Sequence, residues 1–135
     1  MFECVILGDS IAVGVGQLSQ ECHTAAQVGI SSRHFLQQHT VIPQGNRTLI
    51  SLGSNDGGQT FAQIYSSLRE VRLRIRQGEV TWLQSSNNER AGIAAGRLAR
   101  EFGDRVIEVR PYVSSDGVHP HGRGYQAIAR QFRGS

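Results

Sequence analysis

Strand-like and helix-like runs alternate along the whole of this chain, and that alternation constrains the fold more than any other feature. Short apolar or β-branched runs fall at 3–7, 24–28, 47–52, 79–83 and 105–109. Helix-like segments fill the gaps. One carries Phe61, Ile64, Leu68, Val71 and Ile75 on a stripe at helical spacing. Another carries Ala91, Ala94, Ala95, Leu98 and Phe102, whose small side chains permit close packing on a sheet. The last, with Tyr125, Ile128, Ala129 and Phe132, brings the chain back to the sheet at its end. This βα alternation is the pattern of a parallel sheet with helices on both faces. There is no internal repeat, low-complexity segment or linker, and 135 residues are read as one domain, 1–135. The apolar stripes and Trp82 are assigned to the core.

Gly8-Asp9-Ser10 follows the first apolar run, Cys4-Val5-Ile6-Leu7, and precedes a segment able to open a helix. A serine at such a strand-to-helix turn stands at the carboxyl edge of the sheet. There it meets the unpaired N–H groups and positive dipole end of a helix, which favour a developing anion. A serine hydroxyl needs a base, and the base needs an orienting group. Both occur in Asp116-Gly117-Val118-His119. His121 lies close by, but the three-residue spacing from Asp116 selects His119. Gly53-Ser54-Asn55-Asp56 forms a further turn after a strand, and the Asn55 amide is a suitable donor to an oxyanion. Gly29, after the second strand, can offer its backbone N–H. Asp9, Asp56, Ser54, Ser114 and Ser115 are read as turn-holding residues that bond to backbone N–H groups. Arg33, Gln84 and Tyr112 are candidates for the pocket border or for ordinary surface.

Gly8-Asp9-Ser10, Gly29, Gly53-Ser54-Asn55-Asp56 and Asp116-Gly117-Val118-His119, in that order, resemble the four blocks of the SGNH, or GDSL-type, serine hydrolases. The resemblance runs from residue 4 to about residue 125, each block at an expected strand end. It implies a flavodoxin-like three-layer α/β/α sandwich with a five-stranded parallel sheet, and ester hydrolysis. It also implies Ser10 as nucleophile, His119 as base and Asp116 as its partner, with Ser10 N–H, Gly29 N–H and the Asn55 amide as the oxyanion hole. Two departures stand out. The connections after the blocks are short, and a Leu-Pro-Pro-like segment frequent in the family is here Leu83-Gln84-Ser85-Ser86. Short loops leave little material for a lid or an apolar groove. The expectation is hydrolysis of a short acyl ester, acetyl above all, on a small molecule or a glycan. A lysophospholipase or thioesterase is the alternative, and a non-catalytic binding module on the same fold is a further one.

Composition narrows the remaining classes. All 14 basic residues are arginine, so a Walker-type phosphate loop and a Schiff-base lysine are both excluded. A net charge of +3 is too small to argue for nucleic acid. Arg69, Arg72 and Arg76 are read as a solvated helix face, with Glu70 pairing Arg74. No apolar stretch is long enough to span a bilayer. Met1-Phe2-Glu3-Cys4 lacks the basic start of a secretory signal, which makes a cytoplasmic location the default expectation. On the same ground Cys4 and Cys22 are expected to be reduced packing residues, although first and second strands that are neighbours would bring the two within reach of each other. No Cys/His spacing matches a metal site, and neither metal nor cofactor is expected. Nothing in the pattern fixes an oligomeric state.

Overall fold

The computed structural model describes residues 1–134. Five strands, β1 (Phe2–Gly8), β2 (His23–Ala26), β3 (Gly45–Ser51), β4 (Glu79–Gln84) and β5 (Arg105–Glu108), form one sheet. Its order is β2-β1-β3-β4-β5 and every pairing is parallel. Helices α1 (Ser10–Gln17), α2 (Ser32–Gln38), α3 (Phe61–Leu73), α4 (Glu89–Phe102) and α5 (Gly122–Arg133) fill the connections, with one turn of 3-10 helix at Arg110–Tyr112. This is the strand order of flavodoxin-like folds.

Side-chain alternation along the strands builds two cores. Val5 and Leu7 of β1, Ile50 of β3 and Trp82 of β4 pack beneath α2, α3 and α4. Cys4, Ile6, Leu49, Leu83 and Ile107 face the other way, beneath α1 and α5. Strands buried on both faces read as near-continuous apolar runs, which is why 4–7 and 49–52 lack a polar alternation. Each helix opens on a side chain that accepts one of its unpaired N–H groups. Asp9, Ser31, Thr60, Asn88 and His121 do so in turn, and Thr60 forms a reciprocal capping box with Gln63.

Two expectations change. Cys4 and Cys22 are not free thiols but form a disulfide. β1 and β2 are neighbours whose register pairs Val5 with His23, so the preceding residues, Cys4 and Cys22, face each other with Cα atoms 4.6 Å apart. Nor is the α3 arginine face simply solvated. Arg72 is largely covered, and its guanidinium donates through two nitrogens to Asp104 at 2.7 and 3.0 Å while stacking over Phe102. Asp104 also accepts the Trp82 indole N–H at 3.0 Å, so this ion pair ties α3, β4 and the end of α4 together. Arg69 pairs with Glu101, and the expected Glu70–Arg74 pair forms at 3.3 Å. The α3 helix ends two residues before its stripe does, at Leu73, leaving Ile75 buried just beyond it.

The disulfide closes a loop with a sequence separation of 18. A closed loop of that size stabilises by about 3 kcal/mol in the chain-entropy view. Reduction is expected to lower Tm by about 10 °C in a protein of this length. A thermal melt with and without reductant measures it, and a Cys4→Ser/Cys22→Ser protein should match the reduced form.

Candidate active site

Gly8 starts the geometry. Its φ is +142°, and a Cβ there would lie 1.9 Å from the Ser51 carbonyl oxygen. Only glycine lets β1 turn this sharply against β3. The turn presents Asp9 as N-cap of α1 and Ser10 as its first residue. Asp9 is buried. Its Oδ1 accepts the Ile11 N–H at 3.1 Å, the Ala12 N–H at 3.4 Å and the Ser51 hydroxyl at 2.9 Å. Its Oδ2 is buried with no partner. Burial pushes the Asp9 carboxyl up to about 6, against the pull of these hydrogen bonds.

At the far end of the chain, residues 112–121 fold into a tight extended loop. Val113 and Pro120 form an antiparallel bridge, the Ser114 N–H donates to the His119 carbonyl, and the His121 N–H donates to the Tyr112 carbonyl. Pro120 favours extended backbone at His119, as its position in sequence implies. Asp116 sits at the tip, where its Oδ1 accepts the N–H groups of Val118 and His119 at 2.8 and 2.9 Å and the Ser114 hydroxyl at 3.2 Å. Its Oδ2 lies 2.8 Å from His119 Nδ1. The His119 bond first, and the two backbone N–H groups next, hold the Asp116 carboxyl well below the usual carboxylate range.

His119 Nε2 is 2.8 Å from Ser10 Oγ. A carboxylate only accepts, so Nδ1 carries the ring proton and Nε2 is left to accept from the serine. Ser10, His119 and Asp116 are thus one hydrogen-bonded chain. The His119 side chain remains 43% exposed, so the chain is open to solvent on one side. His121 does not take part. It caps α5, its Nδ1 accepting the Gly124 N–H at 2.9 Å.

The other two turns flank Ser10. β1 lies between β2 and β3, and the Asn55 amide after β3 donates to the Ile30 carbonyl after β2 at 3.0 Å. That bond spans the carboxyl end of β1. Gly29 holds a left-handed φ of +80° in the β2 turn. Among the described residues, the Ser10 and Gly29 N–H groups and the second Asn55 amide hydrogen have no acceptor. Three free donors therefore stand in the turns that follow β1, β2 and β3. Asp56 is a brace, as expected, though not of its own turn. It accepts the Ser32 N–H at 2.8 Å and the Ser32 hydroxyl at 2.5 Å, fastening the start of α2.

Three serines, Ser32, Ser51 and Ser86, brace the site without any signal in the sequence. Ser86 donates to the Gly117 carbonyl at 3.0 Å and steadies the loop that holds Asp116. Each bonds a partner more than 20 residues away, so no local pattern marks it. Tyr125 is a further neighbour. Burial pushes its hydroxyl up, and the charges of Asp9 and Asp116 add to the effect.

Neither a family model nor a curated protein matches the sequence. Solved structures do match in fold. A GDSL-like lipase from Bacteroides thetaiotaomicron superposes with a TM-score of 0.74 at 15% identity, over 97% of this chain and 85% of that one. A carbohydrate acetylesterase from Sinorhizobium meliloti gives 0.69 at 12% identity over 99% of both chains. The C-terminal catalytic domain of a peptidoglycan O-acetyltransferase from Streptococcus pneumoniae gives 0.62 at 12% identity, over 98% of this chain and 91% of that one. The chain has the α/β fold of the SGNH hydrolases, the family its four sequence blocks resemble.

Asp9 sets a pH dependence of stability. Its folded carboxyl titrates at about 6, above the value of about 3.9 that is ordinary for an aspartate. Its contribution is complete below the unfolded value and is lost as pH rises through the folded one, by an order of 3 kcal/mol. Asp116 acts with the opposite sign and in a lower window, losing its contribution as pH falls below the ordinary carboxylate range. Denaturant unfolding from pH 4 to pH 7 is expected to show the Asp9 loss. Asp9→Asn keeps the acceptor oxygen and should flatten the curve over that interval.

Proposed function

We propose that this chain is a serine esterase that works through an acyl-enzyme on Ser10. The observation that carries the reading is the chain of hydrogen bonds from Asp116 through His119 to Ser10, at 2.8 Å for each link to the imidazole. Ser10 Oγ attacks the ester carbonyl as His119 Nε2 takes its proton. Asp116 holds the Nδ1 tautomer and favours the imidazolium that forms. The tetrahedral oxyanion receives hydrogen bonds from the N–H groups of Ser10 and Gly29 and from the Asn55 amide, at the positive end of α1. The alcohol leaves with the proton from His119. Water then attacks the acyl-enzyme by the same route, and Ser10 regains its proton.

The substrate we propose is a short acyl ester, acetyl above all, on a small molecule or a carbohydrate. Half-exposed His119 and the short connections around it favour an open site over an enclosed acyl channel. The likeness to a carbohydrate acetylesterase points the same way. A lysophospholipase or thioesterase would need an apolar path for its acyl chain, since each buried methylene contributes about 0.8 kcal/mol only against an apolar wall.

A fluorophosphonate probe is expected to label Ser10, which a non-catalytic module would not allow, and Ser10→Ala should lower kcat on 4-nitrophenyl acetate by about 10³-fold or more. His119→Ala is expected to match that loss. His121→Ala should retain most activity and lose about 1 kcal/mol of stability with its helix cap. Reversed behaviour of the two histidines would remove His119 as the base.

Asn55→Ala is expected to lower kcat by about 10²–10³-fold. KM should change far less, because the hydrogen bond strengthens as the oxyanion forms. Steady-state kinetics separates the two, and a change confined to KM would make Asn55 a substrate-binding residue.

A further inference from the structure

Three depressions lie end to end along the α3–α4 side of the site. The central one, about 470 Å³, has Ser54 and Asp56, the two chain neighbours of Asn55, in its wall. It shares Gln59 with a second depression of about 450 Å³ that reaches Arg33 and α3. At its other end it shares Glu89 and Ile93 with a third, of about 240 Å³, that reaches Glu108 and Arg110. Together they make one groove that crosses the ends of β3, β4 and β5. Arg33 and Gln84, read from the sequence as either pocket border or ordinary surface, line it.

The chemistry of the groove is specific in what it offers. Its walls are tied down internally: the Asn87 amide donates to the Ser54 carbonyl at 3.1 Å, and Arg90 donates to the Gln59 carbonyl at 2.6 Å. Among the described residues, the side-chain ends of Arg33, Gln59, Glu89, Glu108 and Arg110 have no hydrogen-bond or ion-pair partner. These are five free polar groups spread along one line. Arg33, Arg90 and Arg110 are matched by Asp56, Glu89 and Glu108, so the lining carries no net charge. A nucleic acid or other polyanion requires an excess of cations to neutralise its phosphates or sulfates. Ala62 and Ile93 are the apolar side chains in the lining, too little to hold an acyl chain or lipid.

We infer that this groove binds a linear, uncharged polysaccharide and lays it past Ser10, so that an acyl substituent on one sugar reaches the serine. Hydroxyl groups repeated along such a polymer exchange water for the amide, carboxylate and guanidinium ends spaced along the groove. The 42% exposed face of Ile93, shared by two of the depressions, packs against the apolar face of a sugar ring. The esterase reading above is needed for the acyl group to be removed, not for the polymer to bind.

Affinity electrophoresis separates the two. The Ser10→Ala protein is run through gels containing acetylated xylan, deacetylated xylan or heparin. Retardation by either xylan, and little by heparin, is expected. Gln59→Ala with Glu89→Ala, the first half-buried and the second exposed, should weaken that retardation about tenfold, the loss of roughly two hydrogen bonds. No retardation by xylan, or stronger retardation by heparin, overturns the groove. An unchanged double variant overturns it too. Hydrolysis of 4-nitrophenyl acetate by the wild-type chain is measured alongside. Its absence overturns the esterase reading alone, because the gels report binding without chemistry.

Discussion

One buried carboxylate fastens the two strands on which the site is built. Asp9 Oδ1 gathers two N–H groups of α1 and the hydroxyl of Ser51 at the end of β3. Next to it the chain leaves β1 toward one face of the sheet, as α1, and leaves β3 toward the other, as α3. Connections that diverge in this way open a crevice at the carboxyl edge of a parallel sheet. The carboxylate closes the base of that crevice, and Ser10 stands on its rim. The arrangement has a cost, visible in the unpartnered Oδ2 and in the raised titration of the group. What it supplies in return is a single oxygen that both caps α1 and holds Ser51.

The imidazole comes from a different quarter. Its loop starts beyond β5, with β3 and β4 lying between it and the strand that carries Ser10, and must cross the ends of both to reach it. Such a span meets the core only at its base, through Tyr112, Val113 and buried Pro120, and its tip is ordered by polar bonds. Asp116 satisfies two backbone N–H groups and the ring at once, the Val113–Pro120 bridge closes the loop, and Ser86 ties its tip to β4. Side chains fixed before the substrate arrives lose less on reaching the transition state, which is the advantage of a preorganised site.

Features local in sequence were legible in it. The strands follow from apolar runs, and their positions match the structure to within one or two residues at most ends. Ser10, Asn55 and the Asp116–His119 turn could be placed because each follows a strand, and parallel strands deliver their ends to one edge. Features that depend on which strands are neighbours were not legible. Asp56 reads as a brace for its own turn, yet its partner is Ser32, set by the way the β3 turn leans over the β2 turn. Arg72 reads as surface until α4 delivers Asp104 beside it. The cysteines depend on register: had β2 shifted by one residue, the sulfurs would lie on opposite faces. The groove, too, is assembled from four separate connections and has no motif.

The disulfide has a bearing on motion. β2 is a four-residue edge strand that pairs with β1 alone, the kind of element that opens locally while the rest of a protein stays folded. Its turn holds Gly29 and Ile30, which flank Ser10. The covalent link from Cys22 to Cys4 removes the freedom of β2 to peel away at its start, and the Asn55–Ile30 bond holds it at its end. An edge strand pinned at both ends no longer frays independently. The amide hydrogens that β2 bonds to β1 then exchange only when the centre of the sheet opens, and the shape of the site persists for as long as β1 and β3 remain paired.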